Sequence, residues 1–392
     1  MQDVRGDFPL LRRRIEDEPI IYLDSAATSL KPDAVIESVH DHYTARNANI
    51  HRAVHRLAEE ATEAFEQARE RLARFLRVEA AEVILTRGAT ESINLVRQGM
   101  PELKRIVTTV QEHHSNFLPW LDAGAEIVGV DGRGEIDLDA LDRALAPGAD
   151  LVAIAHVSNA AGTLNPVRQI VARARERGAR VLLDAAQSAA HMPIDARDLD
   201  VDFLACSAHK MLGPGGAGML YGRRELLEQM RPRLLGGEMI EAVHVDRYEV
   251  APLPHRFEAG TPAIEAVIGW GAAVDYLDHL GMDEVFAHTN DLVTYALERL
   301  GAIERLRLFG PVAPGRRCGS VAFTVENLEA HGVARMLSNR ANIMVRSGFQ
   351  CAQPLHEALG STPTVRASFH VYNVREDVDA LAQTLEQIAA LV

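Results

Sequence analysis

Seven short apolar segments alternate with helical patterns between about residues 65 and 225, and this alternation limits the possible folds more than any other feature of the chain. The apolar segments cover residues 82–86, 105–110, 126–130, 151–157, 180–186, 202–208 and 215–222. The helical patterns cover residues 61–76, 89–100, 138–145 and 165–178. Continuous apolar strands separated by helices are typical of a sheet with both faces covered. The sequence therefore predicts an α/β fold with a mostly parallel seven-stranded sheet.

The pattern changes after about residue 265. Two long helical stretches, residues 263–281 and 282–302, lead to apolar strands at 318–326 and 365–373 and a closing helix at 375–392. No Pro- or Ser-rich linker separates the two parts. We expect a large domain over residues 15–265 and a smaller C-terminal α+β domain over residues 266–392, which also includes residues 1–14.

Polar side chains follow five of the predicted strands at the point where each strand ends. They lie at residues 87–91, 111–114, 158–159, 184–187 and 209–210. Ligands of open α/β sheets bind outside the carboxyl ends of the strands. The five strand ends are therefore expected to supply one polar binding site.

Lysine usage singles out one residue of this cluster. The chain has 41 basic residues, but only Lys31, Lys104 and Lys210 are lysines. An arginine stays protonated, whereas a desolvated lysine can lose its proton and form a Schiff base. Lys210 lies between the apolar "DFLACSA" and a glycine-rich turn, which favours a chemical role, whereas Lys31 and Lys104 fit plain surface positions.

One end of the predicted site suits a phosphate group. Ala89 and Thr90 begin a helix directly after a strand, where free N–H groups and the helix dipole favour an anion. Ser207 and His209 follow another strand and can donate to the same anion. The glycines at 213–218 lack the Lys-Ser/Thr of a nucleotide-binding loop.

The other end suits an aromatic ring that contains nitrogen. Asp184, at the end of a buried strand, can keep a pyridine nitrogen protonated, so that the ring draws electrons from the substrate. His113 can stack on the ring and move protons. With Lys210 as the amine, the set predicts pyridoxal 5′-phosphate. Individually, Asp184 could instead cap a helix and His113 could be an ordinary loop histidine.

Composition excludes several other classes of protein. A net charge of −14 argues against a nucleic-acid surface, which needs a basic face. No apolar run is long enough for a membrane helix, and the first twenty residues lack the core of a signal peptide. Three widely spaced cysteines form no CxxC pair, so we expect neither disulfides nor a metal site and infer a cytoplasmic location.

Sequence blocks along nearly the whole chain resemble the cysteine desulfurases of the class V aminotransferase family. The blocks include "YLDSAAT", "HVSNAAGTLNPV", "LLDAAQSAAHMPID", "DFLACSAHKMLGPGGAGMLYG", "RFEAGTP" and "VRSGFQCAQPLHEAL". They are most similar to the Suf-type branch, which also contains selenocysteine lyases. The resemblance implies a homodimer of fold type I with pyridoxal phosphate at the domain and subunit boundary.

The resemblance also implies roles for single residues. Lys210 matches the Schiff-base lysine, Asp184 the partner of the pyridine nitrogen and His113 the stacking histidine. Around them, the resemblance assigns the ring hydroxyl to Gln187, the surroundings of the ring and substrate carboxylate to Asn159, and the carboxylate itself to Arg366. It assigns the phosphate contacts to Thr90, Ser207, His209 and Thr261, and the entrance to His51 and His55. Thr261 matches a residue that reaches the phosphate across the dimer.

Cys351 matches the cysteine that forms a persulfide. The glycine, polar residues and proline around it favour an exposed loop, and a nearby Arg346 could favour the thiolate. Cys206 and Cys318 fit buried structural positions. The implied reaction converts L-cysteine to L-alanine and leaves sulfur on Cys351, for iron–sulfur cluster assembly or another sulfur-transfer pathway.

Phe349 and Gln350 depart from the histidine pair that Suf-type relatives commonly carry before the cysteine. This departure leaves the sulfur-acceptor protein open. A selenocysteine lyase would use the same residues, with L-selenocysteine as substrate. An aminotransferase or β-lyase of the same fold would not need Cys351, and a non-catalytic scaffold should have lost Lys210.

Overall fold

The computed structural model describes residues 4–392, and its main element is a seven-stranded sheet at the predicted positions. The strands are β1 (Val83–Thr86), β2 (Ile106–Thr109), β3 (Glu126–Val128), β4 (Leu151–Ala155), β5 (Arg180–Asp184), β6 (Phe203–Ser207) and β7 (Gly218–Gly222). Most of their side chains are buried, because helices cover both faces of the sheet. The predicted fold class is confirmed.

The spatial order of the strands is β1-β7-β6-β5-β4-β2-β3, and only β7 runs antiparallel to its neighbours. Two glycines permit the close approach of β7 to the turn that follows β1. A Cβ atom on Gly218 would lie 2.3 Å from the Cα atom of Gly88. Because the other six strands run parallel, their carboxyl ends lie at one edge of the sheet, and the predicted polar side chains lie at that edge.

Twelve α-helices lie within residues 4–392. They are α1 (Asp33–Ala45), α2 (Arg56–Leu76), α3 (Ala89–Gly99), α4 (His114–Asp122), α5 (Leu138–Leu145), α6 (Val167–Glu176), α7 (Arg224–Gln229), α8 (Ile264–Leu280), α9 (Met282–Gly301), α10 (Ala330–Ala341), α11 (Gln353–Ala358) and α12 (Arg375–Ala389). None of them combines the length and the apolar character needed to span a bilayer.

A second sheet occupies the C-terminal part of the chain. It contains β8 (Leu306–Phe309), β9 (Ser320–Val325), β10 (Arg346–Gly348) and β11 (Thr364–Ser368), in the antiparallel order β8-β9-β11-β10. Helices α9, α10 and α12 pack on this sheet around buried side chains such as Phe323 and Leu385. The sheet carries Arg366 on β11 and presents Cys351 shortly after β10.

Two hydrophobic clusters cover the two faces of the large sheet, and a third accompanies the second sheet. Trp270, Val274 and Leu277 on α8 pack in one cluster of the large sheet, together with Phe8 from the N-terminal segment. The domain boundary between residues 265 and 266 stays a prediction, and residues 1–3 of the predicted small domain lie outside the described part. Asp24 forms a β-bridge to Ser368, which brings the N-terminal segment to the second sheet beside the carboxyl edge of the first.

Candidate active site

A cavity of about 360 Å³ lies at the carboxyl ends of the parallel strands. Eleven of the predicted site residues line it: Ala89, Thr90, His113, Asn159, Asp184, Gln187, Ser207, His209, Lys210, Cys351 and Arg366. They come from both sheets and from segments far apart in the chain. The cavity therefore joins the strand-end cluster to the arginine and cysteine of the C-terminal part.

Lys210 follows β6 in a short 3₁₀ turn, Ala208–Lys210. Burial lowers the pKa of its amine, and the neighbouring Asp184 partly offsets this effect. Burial raises the pKa of Asp184. Two weaker effects oppose this by stabilising the carboxylate: the N–H of Ala186 donates to its Oδ1 at 2.9 Å, and the charge of Lys210 lies nearby. The pair places a reactive amine opposite a carboxyl group that can bind a protonated ring nitrogen.

The other two lysines differ from Lys210 and from each other. Lys104 is exposed, as expected for a surface position. Lys31 is half-buried instead, because its amine donates to the backbone oxygens of Ser29 and His209, and burial lowers its pKa to about 8. The expectation of a plain surface position was wrong for Lys31. It does not line the cavity, so Lys210 is the lysine at the site.

His113 is held at the start of α4 as the N-cap residue, where its Nδ1 accepts from the N–H of Ser115 at 3.0 Å. Burial and the nearby Lys210 lower its pKa to about 4. The ring is therefore neutral near pH 7, and the acceptor role of Nδ1 leaves the proton on Nε2. A neutral imidazole with a fixed orientation can lie against an aromatic ligand without adding charge.

The opposite end of the cavity contains hydrogen-bond donors. The N–H of Ala89 donates to Ser207 Oγ at 2.9 Å, and Thr90 Oγ1 lies 2.7 Å from Ser115 Oγ. Burial, and to a smaller extent the charge of Lys210, lowers the pKa of His209 to about 4. The first turn of α3 with these hydroxyls suits a phosphate. A neighbouring cavity of about 590 Å³ shares Ala89, Thr90, Ser207 and His209, so this end is open on a second side.

Arg366 lies on β11 and is 2% exposed. Its Nη1 donates to the carbonyl oxygen of Asn159 at 2.7 Å, and its Nη2 lies 3.2 Å from Asp24 Oδ1. Arg346 reaches the other oxygen of the same carboxylate at 3.1 Å. Asp24 thus fixes two guanidinium groups at the wall of the cavity, where they can bind a carboxylate. Gln187 is held nearby by a 3.0 Å hydrogen bond to the carbonyl oxygen of Ala26.

Cys351 is exposed and lines the cavity, whereas Cys206 and Cys318 are buried. Burial raises the pKa of both buried thiols, that of Cys318 to about 12. Cys351 lies between β10 and α11 in a backbone conformation with a φ of +56°. It is therefore the accessible thiol among the three, on the same cavity as Lys210 and Arg366.

The residues present fit pyridoxal 5′-phosphate. The donor-rich end suits the phosphate, and Asp184 with Lys210 at the inner end suits the ring nitrogen and the aldehyde carbon. His113 and Gln187 lie along the same cavity and can contact the ring. The cavity thus has partners for both the phosphate and the ring nitrogen of this cofactor.

Three predicted residues do not line this cavity in the single chain: His51, His55 and Thr261. His55 caps α2 by accepting from the N–H of Ala58, and Thr261 is exposed. Ligand atoms of His51, Glu66 and His255 lie within 4.8 Å of one another. The carboxylate of Glu66, however, accepts from Nε of the buried Arg69 at 2.8 Å, so the guanidinium of Arg69 already balances its charge.

The sequence interpretation missed Asp24 and the interactions of Gln350. Asp24 lies in "YLDSAAT". It pairs with Arg346 and Arg366 because the N-terminal segment joins the second sheet, and the sequence gives no sign of that contact. The sequence marks Gln350 only as a departure from relatives and does not indicate its contacts. Its partners lie at residues 159, 356 and 364, which sequence spacing does not bring together.

Comparison with known proteins gives consistent results. The family model described as "Aminotransferase class-V" matches residues 21–381. A relative named "Probable cysteine desulfurase" from Halalkalibacterium halodurans is 44% identical, over 98% of this chain and 97% of that protein. The apo structure of a cysteine desulfurase from Thermococcus onnurineus NA1 superposes with a TM-score of 0.95 at 38% identity and covers 100% of this chain and 99% of that one. The cysteine desulfurase CsdA of Escherichia coli has a TM-score of 0.89 at 35% identity, covering 99% and 98%.

Proposed function

This chain belongs to the aminotransferase class-V family, and on that premise we propose that it is a pyridoxal-phosphate-dependent cysteine desulfurase that converts L-cysteine to L-alanine and receives the sulfur on Cys351. One observation carries the proposal: Lys210, Arg366 and an exposed Cys351 line one cavity. An amine, a carboxylate-binding group and a nucleophilic thiol are the three groups that this reaction needs from the chain.

Bound pyridoxal phosphate supplies an electron-withdrawing ring that makes the Cα proton of an amino acid acidic. Ala89, Thr90, Ser207 and His209 would hold its phosphate, and Asp184 and Gln187 its ring. Arg366 binds the substrate carboxylate, oriented by its bonds to Asp24 and to the backbone of Asn159. With its carboxylate on Arg366, the substrate would have its thiol near Cys351, which lines the same cavity.

Two side chains then divide the chemistry. Lys210 accepts the Cα proton on Nζ, and burial, which lowers the pKa of this amine, favours the unprotonated form that can accept it. The Cys351 thiolate attacks the substrate sulfur. A sulfur–sulfur bond forms as the substrate carbon–sulfur bond breaks, and the electron pair of that bond stays with carbon. The carbon takes up a proton to give alanine, and Cys351 carries the persulfide.

The test is to incubate the cofactor-loaded protein with L-cysteine and a thiol reductant and to measure alanine and persulfide on Cys351 by mass spectrometry. Alanine in equal amount to released sulfide supports the proposal. Pyruvate and ammonia, with full turnover in Cys351→Ala, would instead identify a β-lyase. The ratio of kcat/KM for L-selenocysteine and L-cysteine decides between desulfurase and selenocysteine lyase.

The assembly we propose is a homodimer in which Thr261 of one chain reaches the phosphate of the other. Thr261 is exposed, and the phosphate end of the cavity opens on a second side. The family resemblance, which also gives Thr261 its role, assigns His51 and His55 to the entrance of the cavity. Thr261→Ala should weaken binding of pyridoxal phosphate in the dimer. A monomer in sedimentation experiments with full cofactor affinity would contradict this assembly.

We also propose that the persulfide is passed to an acceptor protein in the cytoplasm. The three cysteines are unpaired, as expected in a reducing compartment. The exposure of Cys351 supports access by a partner.

A further inference from the structure

The segment that carries Cys351 has an unusual backbone. Gln350 and Cys351 have φ angles of +46° and +56°, in the left-handed region that residues with a Cβ seldom occupy. Two such residues in succession persist only where surrounding contacts fix them. The contacts of this segment therefore determine where the Cys351 thiol lies.

Most of these contacts come from Gln350. Its Nε2 donates to the carbonyl oxygen of Thr364 at 3.0 Å. Its Oε1 lies 3.1 Å from Thr364 Oγ1 and 3.1 Å from His356 Nε2. Its backbone oxygen accepts from Asn159 Nδ2. Gln350 thus connects the segment to β11, to α11 and to the large sheet.

The hydrogen-bond directions in this group are fixed by chemistry. Because the Thr364 carbonyl can only accept, the amide nitrogen of Gln350 faces it and the amide oxygen faces His356 and the Thr364 hydroxyl. His356 therefore carries its proton on Nε2, and its Nδ1 accepts from Ser361 Oγ, 2.9 Å away. Burial lowers the pKa of His356, which agrees with a neutral ring. Each side-chain nitrogen and oxygen of Gln350, His356 and Thr364 therefore has a partner.

The position of Thr364 links this group to substrate binding. Thr364 and Arg366 lie on the same strand, β11, and Gly348 pairs with Thr364 as Arg346 pairs with Arg366. On the other side of the thiol, the N–H of His114 donates to the carbonyl oxygen of Cys351 at 2.7 Å. The cysteine is thus held from both sides relative to the arginine and to the helix that follows His113.

We propose that Gln350 and His356 are positioning residues, whose neutral hydrogen-bonded pair fixes the Cys351 segment so that the thiol lies in line with the sulfur of a bound substrate. This inference rests on the proposed function for its catalytic consequence. Its structural part, that the pair orders the segment, stands independently. Suf-type relatives commonly carry a histidine at the position of Gln350. On this proposal, the glutamine changes how the segment that carries Cys351 is held.

The first test compares Gln350→Ala with Gln353→Ala. Gln353 is two residues beyond Cys351, exposed, and forms no side-chain hydrogen bond with another described residue, so it is a matched control. In Gln350→Ala we expect amide hydrogen exchange over residues 349–353 to become about tenfold faster or more. We expect kcat for alanine formation to fall by about tenfold to a hundredfold with KM nearly unchanged, because only the sulfur-transfer step loses its geometry.

The second test uses Gln350→Glu, which keeps the shape of the side chain. The carboxylate cannot donate to the Thr364 carbonyl, but the protonated acid can, so kcat relative to wild type should rise as the pH falls. The titratable and charged groups that face this segment are His356, Cys351, His113, His114, Lys210, Arg346 and Arg366. Comparison with wild type at each pH removes their common effect. A merely destabilising substitution would not recover in this way.

The outcomes separate the two proposals. Faster exchange in Gln350→Ala alone, with the loss of kcat, supports the positioning role. Equal exchange and equal kcat in Gln350→Ala and Gln353→Ala overturn it, whatever the reaction. If the wild-type protein forms no alanine from cysteine, the proposed function fails, and the exchange result still decides whether the pair orders the segment.

Discussion

Lys210 and Lys31 show how the surroundings of a residue decide its use. Both amines have lowered pKa values, chiefly because of burial. Lys31 donates to backbone oxygens, whereas Lys210 faces an open cavity beside a carboxyl group. A low pKa makes an amine reactive, but only a neighbouring cavity gives it a substrate.

Borohydride reduction of the cofactor-loaded protein should attach the cofactor to the peptide that contains Lys210. Lys210→Arg should abolish this labelling and reduce alanine formation by about 10²–10⁴-fold, since a guanidinium cannot act as the base. Lys31→Arg is the matched control and should retain the label. Peptide mapping by mass spectrometry checks the site, and cofactor found on Lys31 would contradict the assignment.

Cys351 should be the cysteine that iodoacetamide modifies in the native protein. It is exposed, while Cys206 and Cys318 are buried and their pKa values are raised. We expect one modified thiol per chain and loss of turnover in parallel. Cys351→Ala should still bind L-cysteine but form no persulfide, whereas Cys318→Ala should form it. A persulfide on Cys351→Ala would show that another residue is the nucleophile.

Physical reasoning from the sequence predicts the site residues that follow strands directly, and the family resemblance adds Arg366 and Cys351, which line the same cavity. Lys210, Asp184 and His113 stand at the ends of apolar runs, so the parallel sheet alone brings them together. Asp24, His356 and Thr364 act through contacts between segments far apart in the chain. No local periodicity encodes such contacts, which is why they appear only in the folded structure.

Among the secondary-structure elements, the strands agreed with prediction more closely than the helices. The seven apolar runs fall on β1 to β7, with ends that differ by at most a few residues. The sequence patterns predict no helix at α1, α4, α7, α10 or α11. Helix α4 is hard to predict because it is short, contains Pro119 and begins at His114 after a histidine N-cap. Side-chain hydrogen bonds between residues four apart stabilise it: Glu112 accepts from Asn116, and Asn116 accepts from Trp120 across the first turns.

The contact between β7 and the turn before α3 should control cofactor affinity. A methyl group on Gly218 would meet the backbone of Gly88 at 2.3 Å, and backbone cannot move aside cheaply. Gly218→Ala should therefore displace the start of α3 and weaken binding of pyridoxal phosphate by about tenfold or more. Gly215→Ala is the control, because no atom lies within 4 Å of its added methyl.

Titration with pyridoxal phosphate, followed by absorbance, measures this effect. Far-ultraviolet circular dichroism shows whether each variant keeps its fold. Equal affinities in the two glycine variants would mean that β7 does not set the position of the phosphate end.

For the molecule as a whole, buried neutral histidines should limit stability in acid. Burial lowers the pKa of His156 and His191 to about 4 each. The unfolded chain binds these protons near pH 6.5, so stability is fully present above that pH and is lost as the pH falls toward 4. Each histidine can cost up to about 3 kcal/mol of unfolding free energy. Glu112 acts in the opposite direction, because burial raises its pKa to about 8.

Urea unfolding at pH 7.5 and pH 5 tests the histidine contribution. His156→Gln and His191→Gln should each show a smaller difference between the two pH values than wild type, even if both are less stable overall. The exposed His40→Gln should keep the wild-type difference. Identical differences in all four proteins would remove buried histidines as the cause of acid sensitivity.

The scarcity of lysine has a practical consequence for finding proteins that touch this one. Of the three amines on side chains, one lies in the cavity, one is held against backbone oxygens and only Lys104 is exposed. Reagents that join proteins through lysine side chains would therefore sample a single point of the surface. The 55 carboxylates and the accessible thiol offer far denser coverage. Interaction mapping should begin with carboxylate-directed chemistry or with a probe attached at Cys351.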